Sequence, residues 1–378
     1  MGLMSNLLTQ SSAHIGSLAL SLSSVVSRLM DIGFITDVQQ LLDCPIVKEG
    51  ESLWAEIHHI LGKQPDCHFQ AFLANSESKL QHAFSEKLHK NLLNCIVEEA
   101  DVRAISRIQS AGGIGASAFL VACPSHEYSR LSNDQMEIAV KRRLGINLCS
   151  LLNTNVAKCV CGADLDELGD HLICCKKGND RFLVHYGIIH NFAAIFRDCQ
   201  LIVQTEKPLA SLGPMNPLLS GKRADLLITF RNKTPYLADV SVVHSTPLNA
   251  DSLVKYAKKP GAAASIREKE KNNKYKEASN QVAHNFVPLI IESYGRVGEE
   301  CRFFMKDLAK ESIRKQLLHT DDQLAAQLLH SWWIKISCSL QKTLANLILS
   351  RSFKAQESKN AITVNKISVN LLRNRMYT

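Results

Sequence analysis

GKRADLLITFRNKTPYLADVSVVHS, residues 221–245, is the stretch whose reading decides the fold. Two apolar runs, LLITF and YLADVSVV, flank a short polar turn, Arg231-Asn232-Lys233-Thr234-Pro235, and this pattern predicts a β-hairpin. Each run carries an acid: Asp225 opens the first and Asp239 interrupts the second. An Asp at a strand start often caps a turn or faces solvent. A carboxylate inside an apolar strand is different, because its burial is costly unless it is paired or bound to a metal. Upstream, the β-type run LIVQTEK carries Glu206; downstream, REKEKNNKYKE puts Lys271 and Lys274 on an expected helix just before Tyr275. Lysines on a helix usually form a solvated face. Carboxylates on neighbouring strands with a lysine nearby also have the composition of a Mg²⁺-dependent phosphodiester-cleaving site. Oxygen ligands hold a hard cation, the cation polarises a phosphoryl oxygen and acidifies a water, and the ammonium group steadies that water or the developing charge.

The chain has 378 residues, enough for two or three domains with their own cores. Its 46% hydrophobic and 21% charged content is that of a globular protein, which excludes a collagen-like or largely disordered chain. A net charge of +8 permits polyanion binding without requiring it. The serine-rich apolar run from Ile15 to Val26 has no basic leader or clear cleavage site and is too short to span a bilayer. The twelve cysteines therefore read as thiols or metal ligands rather than a disulfide framework.

One group of them is concentrated in CVCGADLDELGDHLICC, residues 159–175. Cys159 and Cys161 share a tight Gly turn, and His171 and a further Cys follow on what reads as a short helix. Cys174 or Cys175 completes the set, and Cys175 is the expected ligand. Four nitrogen and sulfur donors can close a tetrahedral structural zinc site, with Asp166 and Asp170 available to support it. Buried free thiols are the alternative.

The remaining chain reads mainly as helix. Residues 1–100 carry apolar residues at helical spacing in LMSNLLTQ, SLALSLSSVVSRLMDIGF and VQQLLDCPIV, and Leu80, Phe84, Leu88 and Leu92 mark one face of a further helix. The glycine cluster Gly112, Gly113 and Gly115 is no P-loop, since no GKS or GKT follows. Ser132 and Gln135 predict a capping box, Gly145 a C-terminal cap, and Lys141, Arg142 and Arg143 a basic helix end suited to phosphate or to the helix dipole. A helical run with His185 and His190 precedes Glu206. A strand, FVPLIIESYG, and two helices follow the lysines. Trp332, at helical spacing with Leu324, Leu328 and Ile336, reads as core rather than a base-stacking platform. The polar residues after Ser352 are expected to be partly ordered at best.

Taken together, CVCGADLDELGDHLICC, RADLLI, LADVSVV and KNNKY resemble the C-terminal region of non-LTR retrotransposon polyproteins that carry a restriction-like endonuclease. The match runs from about residue 100 to about 350, with SAFLVACPSHEYSRLSNDQMEIAVKRRLGI as the helical lead-in and FVPLIIESYGRVGEE and the Trp332-Trp333 helix as the tail. With the helical region already read at 1–100, the resemblance implies an α+β protein: a helical lead-in at 101–150, a CCHC zinc knuckle at 151–180, a restriction-like PD-(D/E)xK core with a small mixed sheet at 181–310, and C-terminal helices and tail at 311–378. It implies Asp225 and Asp239 as Mg²⁺ ligands, Lys271 or Lys274 as the catalytic lysine, Glu206 as an additional acid, and Cys159, Cys161, His171 and Cys175 as zinc ligands. Ala224 stands where the motif has proline, and Ser241 where its shortest form has lysine. The implied activity is nicking of target DNA to prime reverse transcription, in the nucleus, with DNA and the element's RNA as partners and no membrane. No Tyr-x-Asp-Asp polymerase motif occurs in the chain. The implied product therefore lacks the polymerase, and a silent nucleic-acid-binding module or a decayed element fragment is the alternative.

Overall fold

The computed structural model describes residues 6–34, 37, 43–62, 68–69, 80–148, 158–178, 180–213, 219–317, 319 and 321–375. The fold is mixed α+β, mostly helical with one small sheet, and the chain divides into two compact units, Met1–Ala100 and Asp101–Thr378. Among the described residues no helix is long and apolar enough to cross a membrane.

In the first unit, NLLTQ and the run after it join in one helix, Asn6–Asp31, accompanied by helices Pro45–Ile60 and Leu80–Glu99. Ile15, Leu18, Trp54, Ile57, Phe84 and Leu88 form their core. Leu92, expected on the same face as Phe84 and Leu88, is 42% exposed, because the packed stripe ends one turn earlier. The first half of VQQLLDCPIV, residues 38–42, lies outside the described residues, and its last three residues open the helix Pro45–Ile60.

The second unit is organised around a four-stranded sheet of order β1 (Ile202–Pro208), β2 (Arg223–Thr229), β3 (Tyr236–Val243) and β4 (Asn285–Glu292). β1, β2 and β3 pair antiparallel, and β4 runs parallel to β3. A parallel neighbour needs a crossover, and here it contains the helix Ala262–Gln281, called the crossover helix below. Strand side chains alternate between faces, and both faces are covered. Leu226, Ile228, Val240, Leu289 and Ile291 pack with Phe192 and Phe196 of the helix Asp180–Asp198 and with Trp332, Trp333 and Ile336. Leu227 and Leu237 pack on the other side with Tyr275, Ala278 and Val282 of the crossover segment. Trp332 is thus core, as its spacing indicates. The C-terminal helix runs from Asp322 to Arg375, past the expected end at Ser352; no Gly or Pro interrupts residues 353–375.

The Ser132–Gln135 capping box forms, and Gly145 ends that helix with a φ of 73°. Its basic end is mostly not a phosphate contact. Arg143 is buried and donates to the carbonyls of Ala111 and Ala116 at 2.7 and 3.1 Å, and Arg142 is buried with its guanidinium 4.8 Å from the centre of the Tyr294 ring. Arg143 thus ties the helix to the preceding part of the lead-in segment, and Arg142 ties it to the loop after β4.

Candidate functional site

The site lies where β1, β2 and β3 part. The β2–β3 register runs from Ile228↔Tyr236 to Leu226↔Ala238; one step further, Asp225 comes opposite Asp239. The β1–β2 register pairs Thr205 with Leu226 and Lys207 with Ala224, so Glu206 comes opposite Asp225. Three acids from three adjacent strands therefore share one line across the sheet. Glu206 has a φ of 55°. A non-glycine residue rarely adopts this left-handed conformation, and such strain is retained where the surrounding structure enforces it. It breaks the ladder between two well-formed pairs and leaves the Glu206 carboxylate free of a regular strand position. The Asp225 carboxylate likewise replaces a strand carbonyl: the Val240 N–H donates to its Oδ2 at 2.7 Å.

Asp239 is 3% exposed, so its charge requires a partner. The crossover helix supplies Lys271, whose Nζ lies 2.6 Å from Asp239 Oδ2. The two expected lysines differ in where their ammonium groups lie. Lys271 meets the acid, whereas the Lys274 Nζ lies 4.9 Å from the centre of the Tyr275 ring. Both line a cleft of about 510 Å³ with His185, Arg223, Asp225 and Asp239. Tyr275 is buried, and its hydroxyl donates to the Arg223 carbonyl at 2.9 Å, clamping the helix to the strand that carries Asp225. Glu206 Oε2 and Asp239 Oδ2 are both buried without an aligned hydrogen bond; each faces a cationic nitrogen instead, Arg223 Nε at 2.5 Å and Lys271 Nζ at 2.6 Å.

Sequence reasoning missed His185. The helix Asp180–Asp198 packs on the opposite face from the crossover helix and delivers His185 Nε2 to the gap between the strands, 3.2 Å from Asp225 Oδ2 and 3.0 Å from the Val240 carbonyl. The hydrogen bond to Asp225 raises the His185 pKa above the ordinary histidine value. His185, Glu206 and Asp225 each offer one ligand atom, and these atoms lie within 4.8 Å of one another. Carboxylate oxygens at this spacing suit a divalent cation, so the donor set fits a metal in type. Asp239 is not in that group; its carboxylate is held by Lys271 beside it. No local signal in the sequence marks His185, because it reads as one of two histidines in an amphipathic helix.

The second cluster is Cys159, Cys161, His171 and Cys175, whose ligand atoms also lie within 4.8 Å of one another. Cys159 Sγ and Cys175 Sγ are 3.9 Å apart, and Cys161 Sγ and His171 Nε2 are 3.2 Å apart. A tetrahedron of sulfurs at about 2.3 Å from zinc has edges of about 3.8 Å. The cluster can bind a metal ion and is compatible with zinc. Gly162, with a φ of 91°, makes the turn that brings the first two cysteines together, and the Cys159 N–H donates to the Ala163 carbonyl at 2.8 Å. Asp166 organises the helix bearing His171, accepting from the Asp170 and His171 N–H groups at 2.8 and 2.6 Å. Asp170 turns elsewhere: its carboxylate meets Arg103 at 2.7 Å and His244 Nε2 at 3.0 Å. Burial opposes its charge, but the His244 hydrogen bond and the charges of Arg142 and Arg103 hold its pKa well below the usual carboxylate range. Cys174 is outside the cluster; it lines a neighbouring cleft with His185 and His244. Cys175 thus takes the fourth position.

No family model matches this chain, and no curated protein matches it.

Proposed function

We propose that this chain is a metal-dependent DNA endonuclease, derived from a non-LTR retrotransposon, with a restriction-like core and a structural zinc knuckle. The observation that carries the reading is the line of Glu206, Asp225 and Asp239 across three strands, with Lys271 against the buried Asp239. Few structural needs account for three acids converging at the parting of a sheet. Asp225 and Glu206, the acids of the converging group, would hold the Mg²⁺, with Asp239 joining them through the carboxylate that Lys271 now faces. When bound, the ion supplies charge stabilisation at a phosphoryl oxygen and an acidified water. Lys271 would hold its ammonium group beside the attacking water, oriented by its ion pair with Asp239. The zinc ligands Cys159, Cys161, His171 and Cys175 would secure the knuckle against the core. The substrate would be DNA, nicked in the nucleus at the element's target; no part of this assignment supplies a polymerase. Conversion of supercoiled plasmid to open circles in the presence of Mg²⁺ tests the reading. A folded, zinc-loaded, DNA-binding protein that does not nick would move the assignment to a silent binding module.

The two lysines separate cleanly under this reading. Lys271→Ala is expected to slow single-turnover nicking by roughly 10²-fold, while Lys274→Ala costs less than about tenfold, because Lys274 lies over Tyr275 rather than on an acid. A larger loss for Lys274→Ala would reassign the role.

DNA affinity is expected to be largely independent of sequence and to fall roughly tenfold or more between low and physiological salt, since phosphate contacts release counterions. Fluorescence anisotropy with unrelated duplexes measures this. A salt-independent affinity would mean that the charge of +8 serves solubility alone.

A further inference from the structure

We infer that His185 is a nitrogen ligand of the catalytic cation, and that the site prefers a transition-metal divalent ion, Mn²⁺, over Mg²⁺. The inference rests on the endonuclease reading for the identity of the site but concerns which ion the site selects. Three atoms converge from three parts of the fold. His185 Nε2 lies 3.2 Å from Asp225 Oδ2 and 3.0 Å from the Val240 carbonyl oxygen. Octahedral coordination at about 2.1 Å places neighbouring ligand atoms about 3.0 Å apart. The imidazole nitrogen therefore lies at the spacing of adjacent coordination positions from both the carboxylate oxygen and the main-chain oxygen. Glu206 supplies a further oxygen, within 4.8 Å of both the His185 and Asp225 donors. Its left-handed φ is the backbone cost of that placement.

The chemistry of the set decides the preference. Mg²⁺ is hard, takes oxygen and retains much of its water. Imidazole is a softer donor, and affinity for mixed nitrogen and oxygen sites rises across the first-row transition metals. A histidine in the ligand set thus strengthens binding of Mn²⁺ more than binding of Mg²⁺. To coordinate, His185 must be neutral with Nε2 bare, so the proton moves to Nδ1 or leaves, and the contacts that Nε2 now makes to Asp225 and Val240 pass to the ion. The helix Asp180–Asp198 need not move for this. It is anchored by buried Ile188, Ile189, Phe192 and Phe196, which hold its face against the sheet.

The test uses the full, zinc-loaded chain, with zinc content checked so that added Mn²⁺ does not report on the cysteine cluster. Mn²⁺ alone is titrated in Mg²⁺-free buffer, free ion is counted by electron paramagnetic resonance, and Mg²⁺ is then added as competitor. Pulsed measurements on the bound ion read coupling to ¹⁴N. The expected result is one added Mn²⁺ per chain, ¹⁴N coupling on it, and displacement only by roughly tenfold or greater excess of Mg²⁺. In His185→Ala the coupling disappears and Mn²⁺ affinity falls roughly tenfold or more, while Mg²⁺ affinity changes less. His185→Asn serves the same purpose should the Ala variant not fold. Absence of ¹⁴N coupling in the wild type, its persistence in the variant, equal affinity for the two ions, or no Mn²⁺ binding overturns the inference. Nicking that depends on Asp225 with no nitrogen on the ion would sink this inference alone. Nitrogen-ligated Mn²⁺ without nicking would sink the endonuclease reading and leave the site standing.

Discussion

Asp225→Asn and Asp239→Asn are each expected to lower nicking of supercoiled plasmid by about 10³-fold or more, a loss of roughly 4 kcal/mol in transition-state stabilisation. Both changes remove a charge and keep the side-chain shape. Asn at 225 retains a carbonyl oxygen that can still accept the Val240 N–H, so the parting of β2 and β3 survives and thermal stability should change by no more than about 1–2 kcal/mol. At 239 the change strands the Lys271 ammonium beside a neutral amide, and some stability is lost with activity. DNA affinity should remain within a few-fold of wild type, because phosphate contacts come from Lys and Arg side chains. The double variant should be no worse than either single one, since groups that hold one ion fail together. Asp251→Asn, in the exposed first turn of the helix Ala250–Ala257, is the control and should nick normally. Nicking at the wild-type rate by the Asp239 variant would overturn the proposed centre, whatever the Asp225 variant does.

Loss of the cysteine cluster should have the second large effect. Metal analysis of purified protein is expected to find one zinc per chain, absent from Cys159→Ser and Cys175→Ser and retained in Cys174→Ser. The energetic consequence follows from what the cluster joins. It links the turn around Gly162 to the short helix Asp170–Cys174, and the buried Arg351 of the C-terminal helix donates to the carbonyls of Leu172 and Cys175. Removing the metal therefore loosens a segment on which a long helix docks. A Tm lower by about 10 °C in the two ligand variants and on chelation is the expected size, corresponding to several kcal/mol in a unit of this length. Full zinc in Cys159→Ser or Cys175→Ser would remove the assignment, and loss of zinc from Cys174→Ser would exchange the roles of the neighbouring cysteines.

Much of the architecture was legible because it is written in local patterns. Two apolar runs around a polar turn identify β2 and β3, and further β-type apolar runs identify β1 and β4. The capping box at Ser132 and the cap at Gly145 are local chemistry and form as read. The length of the Asp322–Arg375 helix was not legible, since polarity after Ser352 speaks to burial and not to backbone conformation. The surroundings of Arg142 and Arg143 were not legible for a related reason. A basic helix end suits phosphate or the helix dipole in sequence, yet here Arg143 meets carbonyls and Arg142 a tyrosine ring, both from other segments.

By itself the sequence determined which residue types could do chemistry and on which elements they ride. Asp225 and Asp239 stand out because acids are expensive in apolar strands, and Cys159, Cys161 and His171 because their spacing around a Gly turn suits a metal. Tertiary structure decided the choices among equivalents. Lys271 and Lys274 are three residues apart on one helix, so spacing puts both on the same face, and only the docking of that helix across β3 brings Lys271 to Asp239. Cys174 and Cys175 are adjacent, about 100° apart around a helix end, and the seating of that short helix turns one to the cluster and the other to the neighbouring cleft. Glu206 needed its left-handed backbone to join the acids, and His185 needed a helix packed on the far face of the sheet. Contacts of that kind depend on how elements pack in space, and no local propensity encodes them.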